Sequence, residues 1–353
     1  MEYKKQLENL LDTVIKEGAS DLHICVGKKP IIRVSGMLII LERESVFKEE
    51  DTIGLASALL NQKEKDEFLK NKEIDFSYQH KNEVRFRCNC YFQKGTVAIA
   101  MRLIPKKIKS LQELNLPPIL EMFANKQQGF FLVVGPVGHG KTTTLASMIE
   151  IINTTRAEHI ITIEDPIEYL FEEKKSLIDQ REVKIDTDDF ATALKSMFRQ
   201  DVDVVMIGEM RGLETISAAV TAAETGHLVL STLHTNNASQ TIDRIIDSFP
   251  VNGQTQIRMQ LAGSLIGIFS QRLIPRISGG IVPAYELLIN NNAVSNLIRE
   301  GRTHEIDSVV ETSSELGMVD MNRSLAELVR AGEITIDDAR KYSVKVQGLD
   351  KLL

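Results

Sequence analysis

The sequence predicts an α/β protein made of a small α+β domain followed by a larger domain with a parallel sheet. Its 353 residues exceed the roughly 250 to 300 that one hydrophobic core usually supports, which favours two domains. From residue 129 onward, short apolar runs alternate with segments of helical periodicity, the pattern of a parallel sheet covered by helices. A glycine-rich segment at residues 135–142 follows the first of these apolar runs and precedes the first of these helices.

The first domain is predicted over residues 1–105. An opening amphipathic helix ends near Gly18, and three strands follow at residues 22–26, 30–34 and 37–41. A helix near residues 53–60 and a hairpin over residues 84–103 complete the domain, with the hairpin turn at Lys94-Gly95. Proline and charged residues predict a linker at 106–118, and the second domain then occupies residues 119–353.

Alternation along the predicted hairpin sorts its side chains between two faces. One face carries Val84, Phe86, Cys88, Cys90, Val97, Ile99 and Met101. The other face carries three arginines, Arg85, Arg87 and Arg102, for which a solvated surface is the simplest interpretation. Cys88 and Cys90 are therefore core residues without chemistry. The chain's three cysteines are also too few for a four-thiolate zinc site.

The glycine-rich segment fits the phosphate-binding loop, with two glycines separated by four residues and followed by Lys and Thr. Its glycines allow a tight turn whose N–H groups face phosphate oxygens, and the helix N-terminus adds partial positive charge. Lys141 is expected to reach the β- and γ-phosphates and Thr142 to ligate Mg²⁺, whereas the His139 side chain is expected to point to solvent. We assign ATP binding to Gly135, Pro136, Val137, Gly138, His139, Gly140, Lys141, Thr142 and Thr143.

Polar residues follow three of the predicted parallel strands, beside the loop. Glu164, Glu209 and His234 each fall at the carboxyl end of a predicted strand, where ligands bind in such sheets. Hydrolysis of ATP needs a metal-side carboxylate, for which Glu209 is the candidate beside Thr142, and a carboxylate that orients water. The sequence leaves open which glutamate is the base. His234 is a candidate donor to the γ-phosphate, and His227 is a catalytic candidate or a residue packed under the preceding helix.

Composition limits the classes of partner. The net charge of −7 and the absence of aromatic residues interleaved with basic ones disfavour nucleic-acid binding. No apolar run approaches the roughly 18 residues of a membrane span, and no signal peptide is visible. We therefore expect a cytoplasmic protein.

Four longer motifs identify a family. They are Ile161-Thr162-Ile163-Glu164-Asp165-Pro166-Ile167-Glu168-Tyr169, Gly208-Glu209-Met210-Arg211 with Leu213-Glu214-Thr215, Ala222 to Val229 with Thr232-Leu233-His234-Thr235, and Ala19-Ser20-Asp21-Leu22-His23 with Arg85-Phe86-Arg87. With these motifs the chain resembles, over nearly its whole length, the hexameric ATPases of type IV pili and type II secretion, and most closely the pilus retraction ATPases. The first three motifs look like that family's Asp box, Walker B region and His box.

The resemblance implies a PAS-like N-terminal domain and a RecA-like P-loop ATPase domain with C-terminal helices, assembled as a homo-hexamer. It implies a position at the inner face of the cytoplasmic membrane, with an integral membrane platform protein as partner and the pilus or pilin engaged indirectly. The family's N-terminal arginines reach a nucleotide in the ring. Arg85, Arg87 and Arg102 thus become candidate arginine fingers, which overrides the interpretation as a solvated surface.

Several positions depart from the family pattern. Val137 and His139 stand where the family usually has Thr and Ser, Gly212 replaces an Asp, and Val202 replaces a Pro. In 293–300, which looks like the C-terminal signature of retraction ATPases, Ser295 replaces an Arg.

The resemblance favours a motor ATPase for pilus retraction. The alternatives to it are a pilus-assembly or type II secretion ATPase of the same superfamily, a nucleic-acid translocase of RecA-like fold, and a regulatory scaffold that binds ATP without hydrolysing it.

Overall fold

A computed structural model describes residues 2–34, 36–81, 84–105, 107–210 and 212–353. The chain forms two compact units. The first contains the residues up to Lys107 together with Glu168–Leu170, and the second contains Ile108–Ile167 and Phe171–Leu353. Lys106 of the predicted linker and Arg211 of the Walker B-like motif lie outside the described residues.

In the part that the structure describes, the first unit is an antiparallel sheet with three helices. Its elements are α1 (Glu2–Lys16), β1 (Asp21–Cys25), β2 (Ile31–Val34), β3 (Met37–Ile40), α2 (Glu49–Leu59), α3 (Gln62–Asn71), β4 (Glu73–His80), β5 (Val84–Gln93) and β6 (Thr96–Leu103). The strand order is β3-β2-β1-β6-β5-β4. The edge strand β3 exposes all four of its apolar side chains.

The predicted hairpin is confirmed. Strands β5 and β6 pair in antiparallel register, and the turn residues Lys94 and Gly95 both adopt positive φ, at 48° and 81°. Phe86, Cys88 and Cys90 are fully buried in the core of the first unit. Burial raises the pKa of Cys90 to about 12, so this thiol stays protonated and packs as a small apolar group.

The second unit is a seven-stranded sheet with helices on both faces. Its strands are β7 (Gly129–Val134), β8 (His159–Glu164), β9 (Leu177–Glu182), β10 (Val204–Ile207), β11 (Leu228–Leu233), β12 (Leu265–Pro275) and β13 (Ile281–Ile289). The order is β13-β12-β7-β11-β10-β8-β9, and only the β12–β13 pairing is antiparallel among these strands. Strand β7 is thus an interior strand, and residues that follow it lie at the carboxyl end of the sheet, away from both edge strands.

Eleven α-helices accompany this sheet in the described part of the second unit. They are α4 (Leu120–Ala124), α5 (Lys141–Thr155), α6 (Phe190–Met197), α7 (Leu213–Glu224), α8 (Ala238–Asp247), α9 (Val251–Ser264), α10 (Asn292–Glu300), α11 (Ile306–Thr312), α12 (Met321–Arg330), α13 (Ile336–Tyr342) and α14 (Val346–Asp350). No helix in the described ranges is long and apolar enough to cross a membrane.

The apolar run of β7 is buried on both faces, as its composition predicts. Phe130, Leu132 and Val134 join one core cluster, whereas Phe131 and Val133 join the cluster on the other side of the sheet. Alternate side chains of a strand point to opposite faces, so a strand covered by helices on both sides must be apolar throughout. A separate cluster packs α12, α13 and α14 onto β12 and β13.

The structure contains elements that the sequence patterns did not predict. These include α3 and β4 in the first unit and β9, β12 and β13 in the second. In the segment predicted as a linker, Leu111 and Leu116 are buried in the second unit, in the same cluster as Phe131.

Glu286 of β13 ties the start of α8 to the sheet. Its Oε1 accepts the Ala238 N–H at 2.8 Å and lies 3.3 Å from the donor Ser270 Oγ. Burial raises the pKa of Glu286 to about 7, the hydrogen bond from Ala238 opposes this rise, and the nearby Asp307 and Asp320 add to it. Between about pH 4.5 and pH 7, the folded protein therefore keeps Glu286 protonated, whereas an exposed glutamate is deprotonated.

We expect the stability of the protein to fall as pH rises from about 4.5 to about 7, because the unfolded chain releases the Glu286 proton before the folded chain does. Glu286→Gln keeps the oxygen acceptor and removes the charge. The variant should gain at most about 3 kcal/mol at pH 8, at about 1.4 kcal/mol per pKa unit, and little at pH 5. Urea unfolding at both pH values measures this. Glu315→Gln, at an exposed position, is the control, and equal gains at both pH values would contradict the assignment.

Candidate active site

The phosphate-binding loop connects the central strand β7 to α5, as predicted. Gly135, Gly138 and Gly140 adopt positive φ values of 145°, 78° and 77°, which favour glycine. Helix α5 begins at Lys141, directly after Gly140. The loop, the first turn of α5 and its half-buried Thr142 and Thr143 thus form the helix N-terminus that suits a phosphate group.

Strand β12 supports this loop from the neighbouring position in the sheet. A Cβ at Gly135 would lie 2.3 Å from the Gln271 carbonyl oxygen, so only glycine allows this close approach. The buried Gln271 side chain donates from Nε2 to the His139 carbonyl at 2.9 Å and accepts from Thr144 Oγ1 at 2.6 Å. The Gln271 amide therefore links the loop, which its nitrogen contacts, to α5, which its oxygen contacts.

The expectation that the His139 side chain points to solvent is wrong. Its Nδ1 accepts the Leu273 N–H of β12 at 2.8 Å, and its ring packs edge-on against Tyr342 of α13. Burial lowers the pKa of His139, and the nearby cations Arg272 and Lys141 lower it further. A neutral imidazole is the form that can accept this hydrogen bond. His139 thus attaches the loop to β12.

Lys141, His234 and Glu209 form a chain of polar contacts at the carboxyl ends of β7, β11 and β10. Lys141 Nζ donates to the carbonyls of Gly135 and Pro136, each at 2.9 Å, and lies 3.2 Å from His234 Nδ1. Because an ammonium group only donates, Nδ1 is the acceptor and the ring proton is on Nε2, which lies 3.7 Å from Glu209 Oε2. The structure thus brings these three predicted residues together.

Glu164 ends β8, the strand beside β10, and its side chain is buried. Its Oε1 accepts from Thr162 Oγ1 at 2.7 Å and lies 3.4 Å from Gln180 Nε2 of β9. The β8–β10 pairing aligns Ile163 with Ile207, so the residues that follow these strands, Glu164 and Gly208-Glu209, lie next to each other. Both predicted carboxylates therefore lie at the carboxyl end of the sheet, where the loop also lies.

The side chains at this edge fit Mg²⁺ better than a softer metal. The candidate ligands, Thr142 and Glu209, offer a hydroxyl and a carboxylate oxygen. No group of three or more His, Cys, Asp or Glu residues that could hold a metal occurs within the described ranges. Mg²⁺ commonly uses one or two protein oxygens and completes its shell with phosphate and water. A metal bound together with the nucleotide therefore suits these residues.

The structure does not bring His227 together with these residues. It precedes β11, whereas His234 follows that strand, so the two lie roughly 20 Å apart at about 3.3 Å per residue. His227 Nδ1 lies 3.0 Å from the Ala222 carbonyl, and its ring packs edge-on against Phe198. These contacts match the packing role that the sequence left open for it.

The three candidate arginine fingers belong to the first unit. Arg87 is paired with Arg102 across β5 and β6, and both are exposed. Arg102 is in turn paired with Asp21 of β1, and its Nε donates to Asp21 Oδ1 at 2.8 Å. Arg85, two residues before Arg87, is half-buried. The predicted arginine face therefore exists, with Asp21 as its acidic member.

The sequence patterns did not indicate Gln271, Leu273 or Gln180. For Gln271 the sequence did contain a signal, because the polar residues Ser270-Gln271-Arg272 interrupt an otherwise apolar strand. A fully covered polar side chain needs a hydrogen-bonding partner, and for Gln271 that partner is the phosphate loop.

The chain matches the family described as "Type II/IV secretion system protein" over residues 2–330. The "Type IV pilus retractation ATPase PilT" of Pseudomonas aeruginosa is 41% identical over 335 residues, which cover 95% of this chain and 97% of that protein. A "Twitching motility protein" of Neisseria gonorrhoeae is 45% identical over 314 residues, or 88% of this chain and 83% of its own length.

A solved structure, "Crystal Structure of the Pilus Retraction Motor PilT and Bound ADP", aligns with a TM-score of 0.91 at 44% identity and covers 98% of each chain. This likeness confirms the predicted fold class, a PAS-like α+β domain followed by a RecA-like P-loop domain with C-terminal helices. Together with the phosphate loop and the motifs around it, the family match over almost the whole sequence shows that this chain belongs to the type II/IV secretion system protein family.

Proposed function

We propose that this protein is a Mg²⁺-dependent ATPase that works as a homo-hexameric motor for type IV pilus retraction. The observation that carries the proposal is the arrangement of four side chains at the carboxyl end of the sheet, beside the phosphate loop. They are Lys141, His234, Glu209 and Glu164. The similarity to a pilus retraction ATPase over 95% of this chain supports the physiological part. Pili or pilins are the indirect target, and an integral membrane platform protein is the partner at the inner face of the membrane.

Each group at this edge has a role in hydrolysis. The loop N–H groups and Lys141 hold the phosphates, and Lys141 stabilises the charge that develops on the transferred group. Bound Mg²⁺ would neutralise phosphate charge, with Thr142 and Glu209 as its protein ligands. Glu164, buried and held by Thr162, orients the attacking water and accepts its proton. His234, whose proton lies on Nε2, donates to the γ-phosphate.

Purified protein should hydrolyse ATP with Mg²⁺ and lose this activity when EDTA removes the ion. Lys141→Ala removes the positive charge at the phosphates, and Glu209→Gln removes the metal-side carboxylate, so each should lower turnover at least about a hundredfold. Phosphate release measures turnover, and melting temperature checks the fold. Glu121→Gln, on the exposed surface of α4, is the control for Glu209→Gln. Turnover near the wild-type rate in either active-site variant would refute the site.

The hexamer provides a role for Arg85, Arg87 and Arg102, which we propose act on a nucleotide held by the neighbouring protomer. The exposed guanidinium groups of Arg87 and Arg102 lie side by side on one face of the first unit. An arginine supplied across an interface can contribute about 10³ to 10⁵ in rate. A head-to-tail interface that closes into a ring supplies such an arginine to every site.

Mixing two inactive variants tests this shared site. Arg87→Ala lacks the arginine and Lys141→Ala lacks the phosphate-binding lysine, so some interfaces in a mixed ring pair an intact arginine with an intact loop. We expect partial recovery of ATP turnover when the two proteins are co-assembled, and none when either is assembled alone. Labelled subunits confirm that mixed rings form. Mixed rings without recovery, for Arg85, Arg87 and Arg102 in turn, would show that these arginines do not act between protomers.

One observation keeps the assembly ATPase as a second candidate. Ser295 stands where the retraction signature has an arginine, and its buried hydroxyl donates to the Ala262 carbonyl at 2.9 Å and lies 3.1 Å from Asn290 Oδ1. The side chain therefore faces α9 instead of presenting a charge. Against this candidate, assembly ATPases typically carry a four-cysteine zinc element, and this chain has three cysteines.

Deletion of the gene in its host separates the two directions of force. A retraction motor removes pili, so its loss should leave surface pili in excess while twitching motility stops. Electron microscopy counts the pili, and a plate assay measures motility. Complementation with the wild-type gene should restore both, and the Lys141→Ala gene should restore neither. Loss of surface pili on deletion would instead identify an assembly motor.

A further inference from the structure

The side chain of Gln180 on β9 faces the candidate base Glu164. Strands β8 and β9 pair in parallel with Thr162 beside Gln180 and Glu164 beside Glu182. Residues two apart on a strand share a face, so all four side chains lie on one face at the end of these two strands. Polar side chains from two strands, Thr162, Gln180 and Glu182, thus lie on the same face as Glu164.

The orientation of the Gln180 amide follows from a backbone donor. The Phe171 N–H donates to the Gln180 side chain at 3.0 Å, and only the carbonyl oxygen of an amide can accept this bond. The amide nitrogen is therefore the atom that faces Glu164, with Nε2 lying 3.4 Å from Oε1. Thr162 Oγ1 donates to the same oxygen at 2.7 Å.

Two donors on one carboxylate oxygen determine which way the carboxylate faces. Thr162 belongs to the same strand as Glu164 and moves with it, whereas Gln180 belongs to a different strand and is itself held by Phe171. Of these two donors, Gln180 is therefore the one that fixes Glu164 relative to another strand. Catalysis depends steeply on such placement, since a misplacement of about 1 Å can cost about a hundredfold in rate.

We propose that Gln180 is a positioning residue for ATP hydrolysis, which holds the Glu164 carboxylate in the orientation that activates water. This inference rests on the proposed function. Gln180 acts through Glu164 and takes no part in phosphate binding, which belongs to the loop and Lys141. Its loss should therefore lower kcat and leave KM and ADP affinity unchanged.

Two substitutions separate this role from simple support of the Phe171 segment. Gln180→Met has a similar length and lacks both hydrogen bonds. Gln180→Glu keeps an oxygen acceptor for the Phe171 N–H but places a carboxylate, which cannot donate, against Glu164. We expect kcat to fall about ten- to a hundredfold in both variants, with KM and the Kd for ADP within about twofold of wild type. Gln254→Met, in which a half-buried amide that donates to the Phe249 carbonyl is replaced, is the matched control and should keep the wild-type kcat.

Combination with Glu164→Gln gives the second measurement. If Gln180 acts through Glu164, adding Gln180→Met to Glu164→Gln should produce no further loss of kcat beyond about twofold, since residues that act as one unit are not additive. Multiplied losses would indicate independent effects and overturn the proposal. A Gln180→Glu protein with wild-type kcat would also overturn it, because support of Phe171 alone would then be sufficient.

These measurements also separate failure of the positioning role from failure of the proposed function. Absence of turnover in the wild-type protein, or full activity of Glu164→Gln, would refute the hydrolytic role of this edge and the inference with it. An active wild type with an impaired Glu164→Gln, and Gln180 variants at the wild-type rate, would refute only the positioning role.

Discussion

The close packing of β12 against the phosphate loop is the constraint on which the candidate site depends. The Gln271 carbonyl comes so near to Gly135 that any side chain there would collide with the strand backbone. The same strand holds the loop through Gln271 and through the N–H of Leu273. The loop is therefore shaped by three elements, β7, α5 and β12, and not only by its own glycines.

This arrangement places polar groups where water is largely excluded. Lys141, Glu164 and Gln271 are each buried at the carboxyl edge of a sheet whose interior is apolar. Each is held by hydrogen bonds, which offset the cost of removing a polar group from water. Electrostatic effects are stronger at low dielectric, so groups fixed in this way stabilise a developing charge without first reorganising.

The sequence predicted those parts of the fold in which local pattern and final environment agree. Strands β7 and β10 are apolar throughout and β11 is apolar except for Ser231 and Thr232, because both faces of each strand are buried, and such runs can be recognised without the structure. Strand β9 was missed because it lies at the sheet edge and reads Leu-Ile-Asp-Gln-Arg-Glu, with polar residues on both faces. Helix α3 was missed for a similar reason, since Phe68 is its only buried residue.

The candidate site was predicted where a residue's role follows from its place after a strand. Glu164, Glu209 and His234 were found in this way. His139 was misjudged because its partner, Leu273, lies more than a hundred residues away along the chain. Gln180 and Gln271 were missed because their roles arise from strand order, which periodicity does not contain. The proposed role of the three arginines comes from family resemblance, since their alternation along a strand alone indicates only a polar surface.

The central position of β7 has a consequence for local motion. Its backbone is hydrogen-bonded to β11 on one side and to β12 on the other, and all six of its residues are buried. Its amide hydrogens can exchange with solvent only when the sheet itself opens, so they report the global unfolding equilibrium. The phosphate loop thus follows a strand that is buried and paired on both sides, while its Val137 and Gly138 are exposed. A nucleotide can reorganise the tip of the loop without loosening the strand that carries it.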